Sequence, residues 1–128
     1  MRKILGGRVR SFISGGAPLL VDVKYFLTTV FSAPIFEAYG MTEAAGFCAC
    51  TAIWERKGGH VGGILPCLRF QLRDLKDLKG STDQSPSIGE LYIKGNSVML
   101  GYYKNPIMTS KVLDKNGWLK VGDIVTIL

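Results

Sequence analysis

Histidine occurs once, at His60, and cysteine three times, at Cys48, Cys50 and Cys67, so the 128-residue chain is poor in metal-ligating side chains. A zinc site built on Cys48 and Cys50 would need further ligands, with His60 the one histidine to draw on, and an odd number of thiols closes no even disulfide framework. Cys48 and Cys50 stand one residue apart and would share a face in a strand. Buried, reduced thiols of an intracellular protein are the expectation. Long hydrophobic runs are missing as well. The most apolar stretch, Tyr25 to Phe36, is broken by Thr28, Thr29, Ser32 and Pro34, which leaves it too short and too mixed to cross a bilayer. No apolar run with a cleavage site follows the basic start, so no secretory leader is visible. The expected location is the cytoplasm or the periphery of an intracellular membrane.

Charge of one sign is in excess but never concentrated. Lys and Arg number 16 against 10 Asp and Glu, a formal net charge of +6. The densest basic group, Arg2, Lys3, Arg8 and Arg10, is interrupted by Ile4, Leu5 and two glycines. There is no basic run interleaved with aromatics and no zinc-finger, KH or RNP pattern, so a nucleic-acid partner is not expected. A solvated surface facing acidic substrates or lipid headgroups is the better reading of the charge. What is abundant is apolar residue, 47%, and glycine, 16 residues, against 20% charged. That composition is globular, of a length that buries a core, with many tight turns or close backbone approaches.

A strand is expected over Arg8 to Ser14, with Val9, Phe12 and Ile13 as its apolar residues. Gly15-Gly16 ends it, and Pro18 suits the first turn of a helix. Leu19, Leu20, Val23, Phe26, Leu27, Val30 and Phe31 then recur at helical spacing, which predicts a helix whose apolar face is core. Pro34 marks its exit and Ile35 to Tyr39 reads as a second strand. Strand, helix, strand in that order favours a parallel pair joined by a right-handed crossover. Ala44 to Trp54 carries no charge and reads as another buried strand, followed by a glycine-rich turn over Glu55 to His60.

Beyond that turn the period becomes two. Leu68, Phe70 and Leu72 alternate with Cys67, Arg69, Gln71 and Arg73, a half-buried strand. Asp74 to Ser87, rich in Gly, Ser, Asp and Pro, reads as a polar, flexible loop. Gly89 to Lys94 resumes a strand, with Leu91 and Ile93 on one face and Tyr92 opposite. A short helix is expected from Pro106 towards Leu113, a turn over Asp114 to Gly117, and two short strands around Gly122-Asp123. The predicted fold class is therefore α/β: a strand–helix–strand parallel unit over 1–54, then a small antiparallel, barrel-like unit over 55–128. The chain stops at Leu128 inside an apolar strand, so truncation is the expectation.

Three glycine-containing stretches can carry chemistry. Ser14-Gly15-Gly16-Ala17-Pro18-Leu19 joins strand to helix, where small residues let backbone approach a flat or anionic ligand; glycine there also serves purely structural turns. Glu37-Ala38-Tyr39-Gly40-Met41-Thr42-Glu43 follows a strand, at the end where α/β sheets bind ligands. A tyrosine face can stack a base, a threonine hydroxyl can donate to phosphate, and a carboxylate can hold Mg²⁺. A turn with a helix cap at Thr42 is the structural alternative. Gly117-Trp118-Leu119-Lys120-Val121-Gly122-Asp123 offers an aspartate able to accept from two neighbouring ribose hydroxyls, or an ordinary hairpin turn.

Taken in order, these stretches resemble the adenylate-forming superfamily of acyl-CoA synthetases, luciferases and peptide-synthetase adenylation domains. SGGAPL at Ser14 to Leu19 and YGMTE at Tyr39 to Glu43 carry the likeness, with GELYIKGNSVMLGYYKNP at Gly89 to Pro106 and GWLKVGD at Gly117 to Asp123. Within the superfamily the chain looks most like long-chain fatty acyl-CoA synthetases. The resemblance implies ATP or AMP, Mg²⁺, a fatty acid and coenzyme A as ligands of the parent enzyme. It implies a nucleotide set of Gly16, Ala17, Pro18, Glu37, Tyr39, Gly40, Thr42 and Asp123. The backbone of Gly16, Ala17 and Pro18 would line one face of the adenine and Tyr39 the other, with Glu37 near its amino group. Thr42 and Glu43 would be the catalytic pair, Thr42 at the α-phosphate and Glu43 on Mg²⁺, while Asp123 would grip the ribose. Gly46 would lie near the carboxylate substrate. In these terms 1–54 is the adenylate-binding segment, and 55–128 ends in the ribose-binding turn.

Two departures stand out. Val121 replaces the threonine usual before Gly-Asp, and the Ser/Thr/Gly-rich phosphate loop is absent from these 128 residues, as are the hinge and the lysine-bearing C-terminal domain. A fragment inactive by itself is the expectation. A stand-alone nucleotide-binding regulatory module is the alternative, and self-association through exposed strand edges is a third reading.

Overall fold

A computed structural model describes residues 1–73 and 88–128, in two compact units, Met1–Leu65 and Pro66–Leu128. The polar loop expected over 74–87 lies outside the described residues.

In the first unit, Phe12–Gly15 forms β1, Val21–Phe31 forms α1 and Ile35–Met41 forms β2. Gly46–Cys50 is β3 and Gly63–Ile64 is β4, and the sheet runs β1-β2-β3-β4. β1 pairs parallel with β2, from Phe12 opposite Ile35 to Gly15 opposite Ala38, whereas β2–β3 and β3–β4 are antiparallel. Ile35, Ala38, Cys48 and Ala49 are buried in this sheet, and Ala33 and Ala44 close the core at the strand ends. Small residues dominate this core, which brings backbones close together.

The helix departs from its expected packing. Lys24 is the buried position of α1, while Leu20 is 74% and Phe26 is 64% exposed. The face turned inward runs through Val21, Lys24, Leu27 and Phe31, with the Phe31 ring 5.3 Å from that of Phe12 on β1. α1 carries apolar side chains around most of its circumference, so one sheet face covers only some of them. Pro18 lies ahead of the helix, outside its first turn, and Trp54 is exposed beyond the end of β3. Of the three thiols Cys48 is buried, Cys50 is partly buried and Cys67 is exposed, so the expectation of buried thiols fails at Cys67.

In the second unit Leu68–Arg73, Ile88–Gly95 and Leu119–Thr126 form β5, β6 and β7, paired antiparallel in the order β5-β6-β7. Leu68, Leu91, Ile93 and Leu119 bury one face. The barrel-like unit expected over 55–128 is, among the described residues, an open three-stranded sheet. Nor do Trp118 to Leu128 form two strands. β7 is continuous, and Val121, Gly122 and Asp123 bulge opposite Leu91, because Tyr92 pairs with Lys120 while Glu90 pairs with Ile124. Gly122 adopts φ +92°, which a side chain resists and glycine accepts. Pro106–Val112 forms α2, capped by Asn105 Oδ1 accepting from Met108 N–H at 3.1 Å.

The turn after α2 is held by one carboxylate. Asp114 Oδ1 accepts from the N–H groups of Asn116 and Trp118 at 2.8 and 3.0 Å, and Oδ2 accepts from Arg73 Nη2 at 2.8 Å. Arg73 first, then these backbone bonds, hold the Asp114 carboxyl below the ordinary aspartate value. Such a group stabilises the fold above its unfolded pKa, and that contribution disappears as pH falls through the folded one. Asp114→Asn is therefore expected to lower the urea midpoint at neutral pH and to make no difference in acid below the folded value. An equal deficit at both pH values would show that the charge is not responsible.

Candidate functional site

β2 delivers the central motif. Its C-terminal end passes from Tyr39 through Gly40 and Met41 into a 3₁₀ turn, Thr42–Ala44, closed by Ala45 N–H donating to the Thr42 carbonyl at 3.1 Å. Ala45 takes the left-handed conformation at φ 57° and Gly46 follows at φ 110°, and the chain reverses into β3. Pairing slips at this point. Tyr39 faces Ala49 but Gly40 faces Phe47, so Cys48 is left over as a bulge. Gly40 lies so close to the opposite backbone that a Cβ there would collide with the Gly46 carbonyl.

A cleft of about 440 Å³ opens at this reversal, and Gly15, Gly16, Gly40, Thr42, Gly46 and Phe47 are among the residues lining it. Gly16, Gly40 and Thr42, drawn from two separate sequence motifs, therefore share one concave surface with Gly46. Ala17 and Pro18 are exposed immediately beyond Gly16, Tyr39 and Glu43 are half-buried, and Thr42 is exposed. Asp123 belongs to the second unit, exposed on the β7 bulge. A larger cleft, about 560 Å³, lies in the second unit between Leu100–Asn105 and α2. It holds none of the residues of the implied nucleotide set, and size alone does not assign a ligand.

Glu37 is committed elsewhere. Its Oε1 accepts from Lys24 Nζ at 2.8 Å in an ion pair whose side chains are 3% and 8% exposed on the Lys and Glu sides. Lys24 Nζ also donates to the Lys57 carbonyl at 2.8 Å, and Thr51 Oγ1 accepts from Glu37 N–H at 3.0 Å. Sequence reasoning missed both Lys24 and Thr51. The one available signal was a lysine inside an otherwise apolar helical stretch.

The family model described as AMP-binding enzyme matches residues 1–103. The chain belongs to this family. It is 42% identical over 120 residues to the mouse (Mus musculus) long-chain-fatty-acid–CoA ligase 5, covering 94% of this chain and 17% of that protein. The chain thus spans about a sixth of the length of that relative. Among solved structures, ATP-bound MatB from Rhodopseudomonas palustris superposes with a TM-score of 0.80 at 31% identity, over 98% of this chain and 24% of that one. The A domain of the Segniliparus rugosus carboxylic acid reductase, in complex with AMP and a co-purified carboxylic acid, matches at TM-score 0.78 and 33% identity. That match covers 99% of this chain and 19% of the reductase chain. The mixed α/β architecture with two sheets is that of the N-terminal domain of adenylate-forming enzymes.

Among the described residues, no group of three or more His, Cys, Asp or Glu side chains gathers as a metal site. Mg²⁺ bound in company with a nucleotide commonly takes one or two carboxylates and leaves its other positions to phosphates and water. Glu43, a hard oxygen donor beside the cleft-lining Thr42, is of the right kind. No helix among the described residues is long and apolar enough to cross a membrane.

Proposed function

We propose that the chain is the adenylate-binding segment of a long-chain fatty acyl-CoA ligase. The observation that carries this reading is the single cleft lined by Gly16, Gly40 and Thr42 at the reversal from β2 to β3. The named specificity of the mouse relative supports the acyl-CoA assignment, and the ATP, AMP and carboxylic acid of the two solved neighbours support the nucleotide and the acid.

In the parent enzyme the backbone of Gly16, Ala17 and Pro18 lies against one face of the adenine and Tyr39 against the other. Thr42 donates to the α-phosphate, and Asp123 accepts from the ribose hydroxyls. Glu43 would hold Mg²⁺, which when bound would supply neutralisation of charge on the phosphates. A fatty acid carboxylate oxygen attacks the α-phosphorus and pyrophosphate leaves. The thiolate of coenzyme A then attacks the acyl carbon and AMP leaves. Gly46, lining the same cleft, leaves room for the carboxylate end of the acid. The exposed Leu20, Phe26 and Trp54 side chains are covered in the parent by its further segments.

The isolated chain is expected to form no acyl-CoA, because a cleft that binds without the phosphate loop and lysine cannot stabilise the transition state. Acyl-CoA formation by the 128 residues alone would overturn that expectation. Amide correlation spectra of the chain titrated with AMP test the site itself. Shifts concentrated at Gly16, Tyr39, Gly40 and Thr42 are expected, and an AMP response centred elsewhere or wholly absent would sink the assignment. Micromolar affinity in the isolated chain would mark a stand-alone nucleotide module.

A further inference from the structure

A cation occupies the position where α1 would be expected to bury an aliphatic side chain. Lys24 is 3% exposed, and its ammonium donates both to Glu37 Oε1 and to the Lys57 carbonyl, each at 2.8 Å. Its stem is confined as well: a Cβ added at Gly58 would lie 3.3 Å from Lys24 Cδ and 3.2 Å from Val21 Cγ2. The backbone of Glu37 is fastened on both sides by one residue. Its N–H donates to Thr51 Oγ1 at 3.0 Å, and its carbonyl accepts from Thr51 N–H at 2.9 Å. α1, β2 and the segment leading towards β4 therefore meet at one charge pair, two positions before Tyr39.

A buried pair of this kind is a poor way to gain stability, since well-packed apolar residues of similar volume serve as well or better. What it supplies is specificity, because a buried ammonium and a buried carboxylate are satisfied only where the two meet. Glu37, with an 8% exposed side chain already engaged by Lys24, has little surface left for a ligand. We propose that Lys24 and Glu37 are positioning residues that fix the path of β2 into the nucleotide cleft. On this view Glu37 acts through that path and does not touch the base. The proposal rests on the reading of the cleft as an adenylate site.

The test uses the full 128-residue chain, titrated with AMP and with the purine ribonucleotide that lacks the exocyclic amino group. Lys24→Met and Glu37→Gln are each expected to weaken both nucleotides by the same factor, about tenfold or more. Amide exchange should speed up at Tyr39, Gly40 and Met41, while Ile93 and Leu119 in the second unit keep wild-type protection. The apolar pair K24M/E37M should recover the folding of the first unit without recovering affinity, an outcome that a merely structural pair would not produce. Wild-type affinity in K24M/E37M overturns the proposal. So does a Glu37→Gln chain that loses affinity for AMP alone while Lys24→Met binds normally, since that pattern marks direct contact with the amino group. If Lys24→Met does not fold, the isosteric Glu37→Gln, still able to accept from Lys24, decides the matter. If the unaltered chain binds neither nucleotide, the adenylate reading fails. Exchange at Tyr39 to Met41 then judges the positioning by itself, and unchanged rates in Lys24→Met reject it.

Discussion

Lys24→Ala is expected to destabilise the first unit by about 3–5 kcal/mol, seen as a lower urea midpoint. The reason lies in what the substitution leaves behind. Glu37 would keep a carboxylate with an 8% exposed side chain and no cation, and the Lys57 carbonyl would lose its donor. An unpaired buried charge is far more costly than a missing contact. Distance alone does not predict this. Arg73 and Asp114 are also 2.8 Å apart, but their side chains are 37% and 30% exposed, and solvent screens the pair. Replacing both partners, Lys24→Met with Glu37→Met, should restore most of the lost stability, because no charge is then left unpaired. A Lys24→Ala chain with a wild-type midpoint would refute the burial argument, as would a double variant no better than the single one.

The same pair shows where sequence reasoning reached its limit. Helical periodicity located α1, but Leu20, Val21, Val23, Phe26, Leu27, Val30 and Phe31 cover so much of its circumference that several rotations score alike. The rotation is chosen by a partner distant in sequence, Glu37, which draws Lys24 inward and leaves Leu20 and Phe26 outside. β6 was legible for the opposite reason. Strict alternation over Gly89 to Lys94 has only two phases, and Leu91 and Ile93 are both buried. α2 was legible from its cap, since Asn105-Pro106 signals a helix start locally and needs no tertiary partner. Gly122-Asp123 misled because a bulge and a hairpin turn call for the same residue types; pairing with β6 decides between them. For the site, Gly16, Gly40 and Thr42, singled out on separate stretches of sequence, line one cleft. The ion pair beneath them, being made of contacts and not of motif, was invisible.

Gly40→Ala is expected to cost about 3 kcal/mol, at the upper end of the overpacking range. A Cβ at this position would meet the Gly46 carbonyl and the Phe47 Cα, both backbone atoms of the paired strand. A crowded side chain can change rotamer, but a paired backbone can yield only by giving up its register. The register here is already irregular, with Cys48 bulged opposite the Tyr39–Gly40 step, so little further adjustment is available without opening β2 from β3. Gly46→Ala provides the contrast. Its Cβ would meet nothing within 4 Å, and its cost is the conformational strain of a side chain at φ 110°, about 1–3 kcal/mol. The two glycines can therefore be told apart by their spectra. Gly40→Ala should disturb amides on both strands, from Ala38 to Met41 and from Gly46 to Ala49, and Gly46→Ala only the turn after Thr42. Urea unfolding with an amide spectrum of each variant checks both expectations. A Gly40→Ala chain with wild-type stability and an undisturbed β3 would show that the close approach of these strands is not what the motif glycine is for.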